Sequence, residues 1–243
     1  MHSAPPPPKT ATQLLRGRAT RPGQTDRTDE APISAPTLAE VFADSPMDGA
    51  ATGFVLARLR ADQTGRKGAA DKPILWVQDR VTRRDMGRPY LHGLAQAGHD
   101  RPILYACVGK AADLLWVLEQ GVGCPGLGAV IGELWGDPPA LDFTATKRLA
   151  MRAEAHGVPC WLIRRGGQAN LSAARERWRV GSLQSLTHPD DSRAPGAPVW
   201  QADLFRARWR APGQWVARPM QDGGLHLDHG MEQNAAPPEE RTG

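Results

Sequence analysis

The fold is decided by residues 103–131, which read ILYACVGKAADLLWVLEQGVGCPGLGAVI. The stretch starts with a short apolar run, residues 103–108, and ends with another, residues 127–131. Between them, residues 110–120 form a longer run with apolar side chains at helical spacing. Short runs rich in β-branched residues predict buried strands, and a helix between two such strands is typical of a parallel sheet. We therefore predict a strand–helix–strand unit here.

The same alternation continues on both sides of this unit. Further strands are predicted at residues 38–42, 74–78 and 160–163, and further helices at residues 52–61, 89–97 and 142–156. Gly98, Gly121 and Gly157 occupy positions where a glycine in the left-handed conformation commonly ends a helix. The sequence thus predicts an α/β fold with a mostly parallel sheet and flanking helices.

After Arg165 the pattern changes to period two, which is typical of antiparallel strands. Two runs place arginines opposite Trp178 and Val180, and opposite Ala207 and Trp209. These arginines are Arg175, Arg177, Arg179, Arg206, Arg208 and Arg210. The simpler interpretation puts the tryptophans in the core and the arginines in water. The alternative is that the arginines contact single-stranded DNA or a partner, since arginine neutralises phosphates.

The composition of the 243 residues, 40% hydrophobic and 23% charged with a net charge of +4, is that of a soluble globular protein. The composition along the chain predicts a disordered arm at residues 1–36, a folded core at residues 37–219 and a disordered acidic tail at residues 220–243. No apolar run has the length of a spanning helix and no secretory leader is apparent, so we expect a cytoplasmic protein that makes no membrane contact. The three cysteines predict reduced, buried thiols.

The turn after the first predicted strand is where a sheet of this kind would bind a nucleotide. A phosphate-binding loop combines glycines with a lysine and a hydroxyl. This turn has no lysine, and it carries Asp44 and Asp48, whose charges would repel a triphosphate. We therefore predict a degenerate phosphate loop, no cofactor, no metal and no catalytic residue.

Two carboxylates are candidates for the remains of a nucleotide site. Asp79 and Glu133 follow predicted strands at their carboxyl ends, where a magnesium ligand could lie. In a degenerate nucleotide hydrolase they would hold magnesium while Arg80 or Arg83 binds phosphate. The simpler interpretation is that they are solvated or pair with Arg80, Arg83 or Arg84.

Six short segments occur in an order that is specific when they are taken together. They are PILWVQD (73–79), GRPYLHGL (87–94), DLLWVLE (113–119), GLGAVIGE (126–133), TKRLA (146–150) and ARERWRV (174–180). In this order they resemble the ImuA family of RecA-like, damage-inducible mutagenesis proteins, and the resemblance runs over residues 36–219.

The resemblance implies a RecA-like core that acts without catalysis in the bacterial SOS mutasome, during translesion DNA synthesis. The implied partners are an ImuB-like Y-family polymerase homologue, an error-prone replicative-type DNA polymerase and RecA. A SulA-like inhibitor of cell division is an alternative of a different class, because that family has a similar reduced layout.

Overall fold

The computed structural model describes residues 37–64, 71–220 and 223–228. The predicted arm, residues 1–36, and most of the predicted tail lie outside this part of the chain. The elements in chain order are β1 (Leu38–Ala43), α1 (Ala50–Thr64), β2 (Ile74–Asp79), α2 (Arg80–Met86), α3 (Leu91–Gln96), β3 (Ile103–Val108), α4 (Ala111–Val122), β4 (Ala129–Trp135), α5 (Phe143–His156), β5 (Cys160–Arg165), β6 (Glu176–Leu183), β7 (Val199–Ala207), β8 (Gly213–Pro219) and β9 (Leu225–Asp228).

The strands form one mixed sheet in the order β3-β2-β4-β5-β1-β6-β7-β8-β9. The pairings from β3 through to β6 are parallel. The pairings from β6 to β9 are antiparallel. The predicted α/β class is confirmed, and the antiparallel extension is present. That extension continues past Pro219, where we expected the core to end, because Leu225 and Leu227 of β9 are buried against the sheet.

One face of the sheet, here called the α1 face, carries an aromatic core. Phe54 of α1 lies 5.0 Å from the ring of Trp178 in β6 and 6.4 Å from the ring of Trp200 in β7, measured between ring centroids. Trp178 also packs on Trp215 of β8. Gly53 allows this close approach, since a Cβ there would lie 2.7 Å from the Trp200 ring. Helix α1 therefore binds the antiparallel extension to the parallel strands.

The opposite face, here called the α5 face, is covered by α4 and α5. Helix α5 starts at a side-chain cap, where Asp142 accepts a hydrogen bond from the Ala145 N–H at 2.7 Å. It ends at Gly157, which has φ 68° as predicted. Gly121 does not end a helix. It lies within α4, where a Cβ would meet Leu75 at 2.6 Å, so this glycine lets α4 approach the sheet.

Several local predictions are wrong. The helix predicted at residues 89–97 is shorter, and the pattern missed α2, a polar helix of seven residues that starts at Arg80 after the N-cap residue Asp79. Strand β4 runs on to Trp135 because Glu133, which the pattern placed after the strand, is buried within it. Cys107 and Cys124 are exposed, whereas Cys160 is buried, which raises the pKa of its thiol to about 12. Within the described residues no helix is both long and apolar enough to cross a bilayer.

Candidate functional site

The turn between β1 and α1, residues 44–49, lies at the amino end of a helix, where backbone N–H groups favour an anion. An anion from the chain itself already lies there. Asp48 accepts hydrogen bonds from the Ala50 N–H at 2.8 Å, and from the Ser182 N–H and hydroxyl at 2.7 and 2.6 Å. Partial burial acts to raise the pKa of the Asp48 carboxyl, but the hydrogen bonds from Ser182 and Ala50 outweigh it and the pKa lies below its usual value.

A cation from the chain fills the inner side of the same turn. The guanidinium of Arg165, at the end of β5, donates to the carbonyl oxygens of Pro46 and Asp48 at 3.0 and 2.8 Å. It also donates to the Thr52 hydroxyl at 2.8 Å. A phosphate cradle needs N–H groups that point inward, whereas this turn points carbonyl oxygens at an arginine. The geometry suits a buried cation and opposes a phosphate.

Glu133 is the buried counter-ion of this arginine. Its Oε1 accepts from Arg165 Nε at 2.6 Å, and its Oε2 accepts from Gln78 Nε2 at 2.7 Å and Trp76 Nε1 at 3.3 Å. The Tyr105 hydroxyl donates to the side-chain oxygen Oε1 of Gln78 at 2.8 Å, which fixes the orientation of the Gln78 side-chain amide. The sequence suggested that Glu133 is solvated or pairs with the arginines that follow β2. In the structure it pairs with Arg165 instead.

Asp79 serves a separate purpose. Its two oxygens accept from the Thr82 N–H at 2.7 Å and the Trp135 N–H at 2.8 Å, so it caps α2 and ties it to β4. Gln78 is the register partner of Glu133. Because side chains alternate along a strand, Asp79 points to the other face of the sheet from Glu133. The structure therefore does not bring the two candidate magnesium ligands together.

A second ionic cluster lies on the α5 face and contains one of the candidate arginines. Arg177 donates from Nε to Glu40 Oε2 at 2.6 Å, and Arg164 Nη1 lies 3.7 Å from Glu40 Oε1. The Arg164 and Arg177 guanidinium carbons each lie 5.3 Å from the centroid of the Phe42 ring. Burial lowers the pKa of Arg164, against the opposing charges of Glu40 and Asp137. Arg177 is thus buried within the sheet as the partner of Glu40 and offers almost no exposed surface to DNA or a partner.

The other five candidate arginines do not form one surface. Arg175 binds Glu154 at 2.6 Å, and Arg179 lies 3.6 Å from Asp203. Arg210 stacks at 4.5 Å on Trp215, whose ring belongs to the core of the α1 face.

Arg206 and Arg208 remain as exposed bases on the α5 side, where Arg206 donates to the Ser172 carbonyl oxygen at 3.3 Å. Trp209, which the simpler interpretation placed in the core, is 42% exposed, whereas Trp178 is buried as predicted. Exposed arginines therefore occur in two places, with Arg206 and Arg208 at the end of β7 and Arg179 within β6 beside Asp203.

Sequence reasoning missed Arg165 and Glu40. Both lie in strands whose neighbours are apolar, and the predicted strand at residues 160–163 stopped before the Arg164-Arg165 pair. The available signal was the pair of consecutive arginines, Arg164 and Arg165, directly after a predicted strand. Two consecutive charged residues at the end of a buried strand must point to opposite faces, so each needs its own counter-ion.

Comparisons with known proteins do not assign this chain to a family. No protein-family model matches the sequence, and no curated protein matches it. The crystal structure of SulA from Pseudomonas aeruginosa aligns with 52% of this chain and 96% of its own, at 17% sequence identity and a TM-score of 0.37.

Proposed function

We propose that this chain is a non-catalytic, RecA-like accessory protein of the bacterial SOS mutasome. In this role it assembles with an ImuB-like Y-family polymerase homologue, an error-prone replicative-type DNA polymerase and RecA for translesion synthesis. The occupied turn after β1 is the observation that supports a role without catalysis. Arg165 takes the place of the cation and Asp48 takes the place of the anion that a nucleotide site would bind.

The arrangement of the sheet supports the RecA-like part of the proposal. A mostly parallel sheet with helices on both faces is followed by an antiparallel extension, which is the layout expected from the resemblance. The degenerate turn lies between the first strand and the first helix, where that layout places a phosphate loop. A scaffold that keeps the sheet while an internal ion pair replaces the nucleotide needs no ATP for its stability.

Exposed apolar side chains support a role in protein contacts. Tyr90 and Leu91, in the segment 87–94, are 71% and 62% exposed, and Trp116, in the segment 113–119, is 63% exposed. Large exposed aromatic and aliphatic side chains are typical anchors of protein interfaces. Both segments belong to the series that resembles the ImuA family, so we assign partner binding to these residues.

Co-purification tests the proposal. The full chain is used to capture an ImuB-like protein and RecA, with and without single-stranded DNA. We expect at least one of the two to be retained, and Tyr90→Ala/Leu91→Ala or Trp116→Ala to reduce the retained amount several-fold. Leu186→Ala is the matched control, because Leu186 is also exposed, at 45%, but lies outside the six segments. Retention of neither protein would contradict the proposal, as would cell filamentation on overexpression without mutasome binding, which favours a division inhibitor.

The hydrolase alternative is tested separately. If the chain hydrolyses ATP and Asp79→Asn abolishes that activity in a variant that remains folded, the chain is an enzyme and the non-catalytic proposal fails. We expect the unchanged chain to show no activity above that of a folded preparation of Asp79→Asn.

A further inference from the structure

A groove on the α5 side has no occupant among the described residues. It has a volume of about 660 Å³ and lies between α5 and the chain ends that precede β6 and follow β7. The side chains that define it are Phe143, Lys147, Met151, Glu154, Arg206 and Arg208. We call it the α5 groove.

The α5 groove is both apolar and basic. Phe143 and Met151, two turns apart on α5, are 42% and 56% exposed, and Lys147 lies between them on the same face of the helix. Arg206 and Arg208 add positive charge from the opposite wall. Glu154, the one carboxylate in the lining, is already bound by Arg175 at 2.6 Å. A matching occupant must therefore offer apolar side chains together with negative charge.

The described chain begins at one end of this groove. The hydroxyl of Thr37, the first described residue, donates to Glu154 Oε1 at 3.2 Å. The preceding residues 26–36 read DRTDEAPISAP. This segment carries three acidic residues against one arginine, and it carries Ile33 between two prolines. Its chemistry is complementary to that of the groove beside which it must start.

The distances along the chain agree with this match. Ile33 is four residues from Thr37 and reaches about 13 Å when extended, while Asp29 reaches about 26 Å. Along α5, Lys147 lies about 10 Å from Glu154 and Phe143 about 16 Å, at the helical rise per residue. The apolar residue of the segment can therefore reach Met151, and its acidic pair can reach the basic part of the groove.

We propose that residues 26–36 dock in the α5 groove, with Ile33 against Met151 and the Asp29-Glu30 pair facing Lys147 and Arg208. Pro32 and Pro36 reduce the entropy lost on docking, since proline restricts the free chain. The short connection to Thr37 also keeps the segment at a high effective concentration near the groove, so a weak contact is enough to fill the groove.

Disulfide trapping in the full chain tests the proposal. Cys107 and Cys124, the exposed cysteines, are first changed to serine, and Cys160 is kept because it is buried. Ile33→Cys is combined with Met151→Cys, and in the control with Arg152→Cys. Arg152 is exposed at the same end of α5, but it lies about 100° around the helix from Met151 and outside the groove lining. With oxidised glutathione we expect the intramolecular disulfide between positions 33 and 151 to form about tenfold faster than the control disulfide, because docking raises the effective concentration of one thiol near the other.

Charge exchange separates docking from chance contact. Asp29→Lys/Glu30→Lys should remove the difference between the two rates, as should Lys147→Glu/Arg208→Glu, and the combination of all four changes should restore it. Lys147 and Arg208 are exposed, and circular dichroism verifies that the fold is kept. Equal rates for Met151→Cys and the control, or a preference that survives either charge reversal, would overturn the proposal. A disulfide formed mainly between two chains would also overturn it, because the occupant would then be a second copy.

Discussion

Arg165 Nε lies 2.6 Å from Glu133 Oε1, and the two side chains are only 1% and 3% exposed. This ion pair joins β4 to β5 and, through the other nitrogens of Arg165, holds the turn between β1 and α1. A buried pair of this kind is costly to desolvate and persists only where further hydrogen bonds satisfy both partners. Here Gln78, Trp76 and Thr52 supply them.

Breaking this pair from one side should be strongly destabilising. Glu133→Gln leaves the Arg165 guanidinium buried without a counter-ion, so we expect the free energy of unfolding to fall by about 3–5 kcal/mol. Chemical denaturation measures this free energy of unfolding. In the double variant Glu133→Leu/Arg165→Met both charges are absent, and the loss should be smaller than for Glu133→Gln alone. A change below about 0.5 kcal/mol for Glu133→Gln would show that the pair is not buried as described.

The contact between Gly53 and Trp200 predicts a difference between two glycine substitutions. Gly53→Ala places a Cβ 2.7 Å from a tryptophan ring that is packed in the core. We expect it to destabilise the fold by about 1 kcal/mol or more, in spite of the better helix propensity of alanine. Gly49→Ala, four residues earlier, meets no atom within 4 Å and should change stability by less than about 0.5 kcal/mol. Equal effects in thermal or chemical unfolding would contradict the packing of α1.

The hydrogen bonds of Asp48 predict a contribution to stability that depends on pH. The pKa of Asp48 in the folded protein lies below its usual value of 3.8. Its stabilising contribution is therefore fully present above the pKa of the unfolded chain and is lost as the pH falls through the folded pKa. In Asp48→Asn the loss of stability below about pH 4 should be shallower than in the unchanged protein. Urea unfolding at a series of pH values measures it, and Ser182→Ala should reproduce part of the effect.

The surroundings of the candidate arginines predict two separable phenotypes. Arg177→Gln removes the closer of the two arginine partners of Glu40 inside the sheet and should lower the free energy of unfolding by about 3 kcal/mol. Arg206→Gln/Arg208→Gln should leave stability within about 0.5 kcal/mol. If the chain binds single-stranded DNA, this double variant should weaken binding and reduce the salt slope by about 0.7 for each phosphate that is no longer neutralised. Fluorescence anisotropy at several salt concentrations measures the affinity for DNA and its salt dependence. An unchanged slope would show that Arg206 and Arg208 do not contact the DNA.

The sequence predicted the order of strands and helices well where hydrophobic periodicity was strong. Strand β3 and helix α5 lie where the pattern placed them. Helix α5 buries one face along its length, whereas β3, at the edge of the sheet, is only partly buried. The pattern failed at charged residues in buried strands. The pattern placed Glu133 and Arg165 beyond the predicted strands at residues 127–131 and 160–163, since periodicity carries no information on a counter-ion that lies far away along the chain.

The extension shows a second limit of periodicity. Regular alternation placed the three arginines of each run on one face of its own segment. In the structure, the register between β6 and β7 shifts between Arg177 and Trp178, which leaves Phe205 as an extra residue in β7. Arg177 is then enclosed between Phe42, Phe205 and Glu40. A bulge and a buried ion pair both depend on the neighbouring strand, which a single run of sequence does not contain.

Because Arg165 and Asp48 fill the turn after β1, we expect this turn not to bind a nucleotide. Isothermal titration calorimetry of the full chain with ATP and magnesium tests it most directly. We expect no saturable binding up to about 1 mM, a range that corresponds to a binding free energy of about −4 kcal/mol. Saturable binding with a dissociation constant below about 1 mM would contradict it.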